Sequence, residues 1–327
     1  MNHILLIGAG FSHNWGGRLT ADIFRDLLGS AAASDPYCKQ LLWQHRAESF
    51  EKALGILQRQ GGPSLDTMER GIREVFDNMD REFTRTGFTL EFREGANADP
   101  EDNIKAFLAR FDAIFSLNQD LLLESGYFLQ ADPPQAFNQR WHGYSLPGMT
   151  PRVSPAPLLP YARWLGEYCP DPTAQGVAPP PGHQPLYKLH GSTNWADSQA
   201  GRRLLVMGGE KTDTINGSAT LKAYLREFER RLNEPNTRLM VIGYGFNDDH
   251  ITSAIERAAA AGNLGVFVID PWGEDAPDRW KHRTGAIKVA GPQNAIQAAL
   301  IGASKLGLNQ TFGGNTIERN AVLKFFK

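Results

Sequence analysis

Four short clusters and one acid carry most of this chain's capacity for chemistry. The first, Gly8-Ala9-Gly10-Phe11-Ser12, follows an apolar run. Glycines at a strand end let the backbone turn tightly and approach a phosphate, whose charge the amides of a following helix can hold. Asn118-Gln119-Asp120 offers an amide that could hold a water or a ribose hydroxyl, although Asn and Asp are also favoured helix caps. His190-Gly191-Ser192 places an imidazole beside a glycine turn. A neutral imidazole can act as a general base, worth roughly 10²–10⁴-fold in rate, and a lone histidine can equally be structural. Gly243-Tyr244-Gly245-Phe246 repeats the strand–glycine–helix logic, with Asn247, Asp248 and Asp249 read as helix caps. Asp270, before Pro271, stands where an acid takes the hydroxyls of an adenosine ribose, or simply starts a turn.

The elements that must position these residues alternate in type. Strands are expected over His3–Ile7, Asp112–Leu117, Leu186–Leu189, residues 203–207, Arg238–Tyr244 and Leu264–Ile269. Between them lie helical patterns at 19–28 (with Thr20 as a possible cap and Asp22 in its first turn), at 37–92 broken by Gly61-Gly62-Pro63, at about 101–110, at 221–232 and at 250–261. Two more helices are expected near 292–305 and 316–326. Such alternation implies an α/β, Rossmann-like parallel sheet with helices on both faces, whose ligand site lies at the carboxyl ends of the strands. All four clusters fall at such ends. The whole of 1–327 reads as one domain, with a helical insertion at about 30–105, a Pro-rich, loop-rich insertion at about 130–184 and C-terminal helices at about 290–327. That Pro-rich stretch is a linker, a lid or a partner surface.

Bulk properties exclude several classes. The 327 residues are 41% hydrophobic and 21% charged with a net charge of −2, which gives no electrostatic reason to grip nucleic acid. No uncharged apolar stretch reaches the roughly 18 residues of a membrane helix. The N-terminal apolar run is too short for a signal peptide, so a cytoplasmic protein is expected. Two cysteines, Cys38 and Cys169, exclude a four-cysteine zinc site, and no metal is expected. His13 stands where a dinucleotide fingerprint wants glycine or alanine, and Asp22 and Asp26 come too early for its acidic residue, which disfavours a plain dehydrogenase.

The ordered set resembles the sirtuin superfamily over residues 3 to about 275: Gly8-Ala9-Gly10-Phe11-Ser12, Asn118-Gln119-Asp120, His190-Gly191, Gly243-Tyr244-Gly245, then Ile269-Asp270. It is closer still to the bacterial sirtuin-like branch of anti-phage defence systems, in Leu19-Thr20, in Leu189-His190-Gly191-Ser192-Thr193-Asn194-Trp195 and in Ile242-Gly243-Tyr244-Gly245-Phe246-Asn247-Asp248. The resemblance implies hydrolysis of NAD to ADP-ribose and nicotinamide as the toxic step of abortive infection. It implies Asn118 and His190 as the catalytic pair, with Asp120 orienting the ribose or stabilising developing positive charge. Gly8, Ala9, Gly10, Phe11, Ser12, Thr20, Gly243, Tyr244, Gly245 and Asp270 would bind NAD, which is substrate, with no other cofactor and no zinc. It further implies a homo-oligomer and a separately encoded partner, such as a ring-forming translocase ATPase or a short Argonaute-type protein. A lysine deacylase is disfavoured by the missing zinc cysteines. Gln119 departs from the family, whose members usually have an apolar or aromatic residue there. The other readings are a NAD or ADP-ribose sensor without turnover and a structural subunit that docks a partner through 130–184.

Overall fold

The computed structural model describes residues 1–88, 90, 104–128, 140–152, 165–196, 203–209, 211–278, 292 and 294–327. Parts of the helical and Pro-rich insertions and of the C-terminal region lie outside these residues.

A seven-stranded parallel sheet with helices around it forms the centre; in spatial order its strands are Leu300–Ser304 (β11), Leu264–Ile269 (β10), Thr237–Ile242 (β9), Asn2–Ile7 (β1), Ala113–Ser116 (β2), His183–Lys188 (β6) and Gly143–Ser145 (β3). Strand β1 (Asn2–Ile7) lies between β2 (Ala113–Ser116) and β9 (Thr237–Ile242). Ile4, Leu5, Leu6 and Ile7 are all buried, as are Leu239 to Ile242. Runs of apolar residues without alternation are what a strand needs when helices cover both sheet faces. β10 (Leu264–Ile269) continues the sheet beyond β9, and β6 (His183–Lys188) and β3 (Gly143–Ser145) continue it beyond β2.

The pairing register decides where the site is. Ile7 pairs with both Ser116 and Ile242, Ile242 pairs with Ile269, and Ser116 pairs with Lys188. Five adjacent strands therefore end level. The residues that follow them, Asp270, Gly243, Gly8, Leu117 and Leu189, form one row along the carboxyl edge.

Between β1 and β2 come α1 (Ala9–His13), α2 (Thr20–Leu27), α3 (Pro36–Gln44), α4 (Phe50–Gln60), α5 (Pro63–Phe83) and α6 (Ile104–Leu108). Gly61 and Gly62, at φ +67° and +89°, make the break before α5, and Pro63 opens that helix. α5 buries Met68, Ile72, Phe76, Met79 and Phe83, and Asp80 shares that buried face. After β8 (Arg203–Leu205) come α7 (Lys211–Gly217) and α8 (Ala219–Leu232); α9 (Asp249–Ala260) follows β9.

Several expectations need correcting. The Pro-rich stretch contains not only loop but β3, β4 (Met149–Pro151) and β5 (Tyr168–Pro170). His190-Gly191 does not lead into a loop. It is a corner between β6 and β7 (Gly191–Ala196), which belongs to a second sheet ordered β4-β5-β7-β8. Gly191 turns there at φ +73°, and a Cβ on it would run into the Leu204 carbonyl. Residues 292–305 are not one helix: a turn of helix over Ala295–Ala298 gives way to β11 (Leu300–Ser304), paired with β10. Gly302 leaves room there for the Phe267 ring, so edge pairing overrides the helical spacing. Thr20 does not cap α2. Leu19 holds the cap position, its amide donates to Asp22 Oδ2, and Thr20 lies exposed in the first turn.

Candidate functional site

The level strand ends bring the Gly8 loop, Asn118, Asp120, His190, Gly243 and Asp270 to one edge of the sheet. The first and fourth clusters touch backbone to backbone. The Gly10 amide donates to the Gly243 carbonyl at 3.0 Å, and a Cβ on Gly10 would lie 2.7 Å from Gly243 Cα. Gly243 sits at φ +61°, where only glycine is comfortable. These glycines thus let two loops of the protein approach each other. The amides of Gly8, Gly10 and Phe11 already donate to the carbonyls of Ile242, Gly243 and Gly8. Ala9 is exposed at the loop's tip. The Phe11 side chain packs in the core against Trp15.

Asn118 is not a helix cap. Its Nδ2 donates to the Gly8 carbonyl at 3.0 Å and to Ser12 Oγ at 2.9 Å. Ser12 Oγ in turn donates to Asp120 Oδ2 at 2.8 Å. Asp120 also accepts from the Leu122 amide, just before the π-helix Leu123–Phe128. The candidate pair Asn118 and Asp120 is thereby joined through Ser12 of the first loop. Burial raises the Asp120 carboxyl, against the pull of Lys188.

Beside it lies an ion pair in which both side chains are 1% exposed: Lys188 Nζ to Glu124 Oε1, 2.7 Å. Lys188 also donates to the Asp120 carbonyl at 2.6 Å and to Ser192 Oγ at 2.8 Å, which uses all three ammonium protons. Burial raises the Glu124 carboxyl too. From α5, Asp80 accepts from the Leu121 amide at 2.7 Å and from Thr193 Oγ1 at 2.8 Å. Burial, reinforced by the nearby Asp120 charge, pushes Asp80 up to about 7.

His190 belongs to a different network. Its Nε2 lies 3.1 Å from Nε2 of His250 in the first turn of α9. Asp248 stands at the cap position of α9, yet its carboxylate does not cap. The Tyr244 hydroxyl accepts from the Asp248 amide at 3.1 Å, and Asp248 Oδ1 accepts from Lys211 Nζ at 2.6 Å. Lys211 also reaches Glu51 of α4 at 2.9 Å. Burial pushes His190 down to about 3 and lowers half-buried His250 as well. Burial alone would raise Asp248, but the neighbouring imidazoles and Lys211 outweigh it and hold its carboxyl below the usual range.

Sequence reasoning did not single out Lys188, Glu124, Asp80, Lys211, Glu51 or His250. Two signals pointed to some of them: a lysine ending the Leu186-Tyr187 strand, and an aspartate on the apolar face of α5. Asp270 is buried, and its carboxylate accepts from the Trp272 amide at 2.9 Å, as a turn residue would. Tyr244 is buried beneath the glycine turn, and burial raises its hydroxyl. Asn118, Asp120 and His190 are only 7%, 7% and 4% exposed. Two cavities of about 590 and 510 Å³ are lined by other residues, the second by Trp15, Arg18 and Met79 beside the first loop. Cys38 is buried, which pushes its thiol up to about 11, so it is no nucleophile at neutral pH. Among the described residues no cluster of His, Cys, Asp and Glu could hold a metal ion, and no helix is long and apolar enough to cross a membrane.

The family model described as SIR2-like domain matches residues 112–287. That span carries Asn118, Asp120, His190, Gly243 and Asp270. No curated protein matches the chain.

Proposed function

The chain belongs to the SIR2-like family, whose chemistry is NAD-related, and from that premise we propose that it cleaves the nicotinamide–ribose bond of NAD by hydrolysis. The observation that carries this reading is the level row of strand ends, which sets Gly8–Ser12, Asn118–Asp120 and His190 on three neighbouring strands. In the reaction, the C1′–N bond breaks and its electron pair goes to the nicotinamide ring nitrogen, so nicotinamide leaves neutral. The oxygen of water bonds to C1′, and its proton goes to His190. Asn118 holds the ribose and the water, exchanging its bond to the Gly8 carbonyl for a bond to substrate while keeping the one to Ser12. Asp120 fixes Ser12 and so aims Asn118. The first loop and Gly243 take the pyrophosphate, which requires that some of their mutual hydrogen bonds open. Asp270 takes the adenosine ribose.

The burial of both catalytic side chains supports a protein that is off until something moves. The elements covering them must shift for NAD to reach C1′. We propose that assembly is the trigger, through a homo-oligomer and a separately encoded partner such as a translocase ATPase or a short Argonaute-type protein. Abortive anti-phage defence in the cytoplasm is the setting that fits such an enzyme.

The test is incubation of the purified chain with NAD, alone and with the product of the neighbouring gene, followed by chromatography of the products. Nicotinamide and ADP-ribose are expected. N118A and H190A should each lose at least about 100-fold in rate, with NAD binding largely kept. Full activity in both variants overturns the assignment. Binding of NAD with no nicotinamide under any condition makes the protein a sensor instead.

A further inference from the structure

We propose that His250 is the positioning residue and proton acceptor of His190, so that the two imidazoles work as one relay. The inference rests on the hydrolytic reading above. Its geometric basis is the 3.1 Å contact between the two Nε2 atoms. Only one of them carries a proton, because two neutral rings cannot both donate across one hydrogen bond.

His190 by itself is a poor base. It is 4% exposed, and burial disfavours its cationic form so strongly that it would hold a proton only in strong acid. A general base works best with an affinity matched to the surrounding pH. His250 is better placed to keep the charge. It is half-buried, so water can take the proton onward, and Asp248 lies two residues before it. Among the described residues, few groups face the pair. Asp248 and Asp249 come from the start of α9, Lys211 from α7, and Glu51 from α4 behind Lys211. Lys211 bridges Asp248 and Glu51, which fixes the Asp248 carboxylate near the imidazoles.

His190 starts with its proton on Nε2, donated to Nε2 of His250, and with a lone pair on Nδ1. His250 starts with its proton on Nδ1. As water attacks C1′, Nδ1 of His190 takes the water proton while its Nε2 proton passes to Nε2 of His250. His190 ends neutral in the other tautomer. His250 ends as imidazolium, beside Asp248, and releases its proton to solvent. A second role follows for Lys211 and Glu51, which hold the carboxylate that stabilises this cation.

The test compares nicotinamide release by H250A and H250Q with wild type. Glutamine can occupy the hydrogen bond but cannot carry the proton. Both variants should lose roughly 100-fold in kcat with KM for NAD unchanged. The acid limb of the wild-type pH profile should move further into acid in H250Q. Added imidazole should restore part of the rate in H250A. A fully active H250Q, or a loss confined to KM, overturns the relay and makes His250 structural. If wild type releases no nicotinamide at all, the hydrolytic reading has failed, and the pair is judged by nitrogen NMR of labelled histidines. The relay then requires the Nε2–H tautomer on His190 and Nδ1–H on His250. An Nδ1–H tautomer on His190 overturns it.

Discussion

Two polar clusters meet at the β6–β7 corner, and they handle burial in opposite ways. The cluster around Lys188 is dry. Its lysine and Glu124 are both 1% exposed, and its carboxyls, Asp80, Asp120 and Glu124, are all raised by burial. The cluster around His190 reaches towards water. Lys211 retains 21% of its side-chain surface and the Glu51 and Asp248 side chains 29% and 15%. The first arrangement suits a rigid frame, because a buried charge with every donor used cannot move without losing its partners. The second suits proton traffic, because a half-solvated chain can exchange protons with bulk water. Only Gly191 separates His190 from Ser192 and Thr193, which serve the dry side.

Removing Lys188 should give the largest effect. K188M leaves Glu124 and the Asp120 carbonyl buried without their donor, and should cost about 3–5 kcal/mol in chemical denaturation. A loss under about 1 kcal/mol would mean that water reaches the cluster and that the contrast is false. Next comes the corner itself. G191A forces a Cβ onto the Leu204 carbonyl at a positive φ, for which roughly 2–3 kcal/mol is expected in the same measurement.

One group from each cluster, Asp80 and His190, should also respond to pH with opposite sign. A carboxyl raised in the folded state contributes stability below its unfolded value that is lost as pH rises through the folded one. For Asp80 that window runs from 3.8 to about 7. An imidazole lowered in the folded state contributes stability above its unfolded value that is lost as pH falls. For His190 the window runs from 6.5 down to about 3. Unfolding free energy measured against pH should therefore lose part of its decline as pH rises from 3.8 to about 7 in D80N, and part of its decline as pH falls from 6.5 to about 3 in H190Q. Parallel curves for wild type and both variants would erase the distinction. The amide side chain of D80N can still accept from the Leu121 amide and donate to the Thr193 hydroxyl, so this variant tests charge and leaves shape intact. The smallest effect should come from K211M, about 1 kcal/mol, because water can resolvate Asp248 and Glu51.

The chemistry-bearing loops were legible because each ends an apolar run, and an apolar run without alternation has few uses besides a buried parallel strand. The misreadings have one cause. Leu300–Ser304 follows a helical pattern and Thr20 is a good cap by type, but a strand edge and a neighbouring residue claimed those roles. Asp248 was a cap by position and type, yet Tyr244 took the amide and left its carboxylate for Lys211. Gly8, Gly10 and Gly243 read as room for a phosphate. In the fold they are also room for each other.

The sequence by itself determined the parallel α/β sheet and the set of loops at its carboxyl edge, since hydrophobic period and glycine placement are local properties. Tertiary structure alone decided the partners. Nothing in the order of residues ties Asp80 to Leu121 or Glu51 to Lys211, and the histidine that His190 faces is sixty residues away. Those pairs exist because strand register and helix packing bring distant side chains into a space with little water, where each polar group must find whatever partner is there.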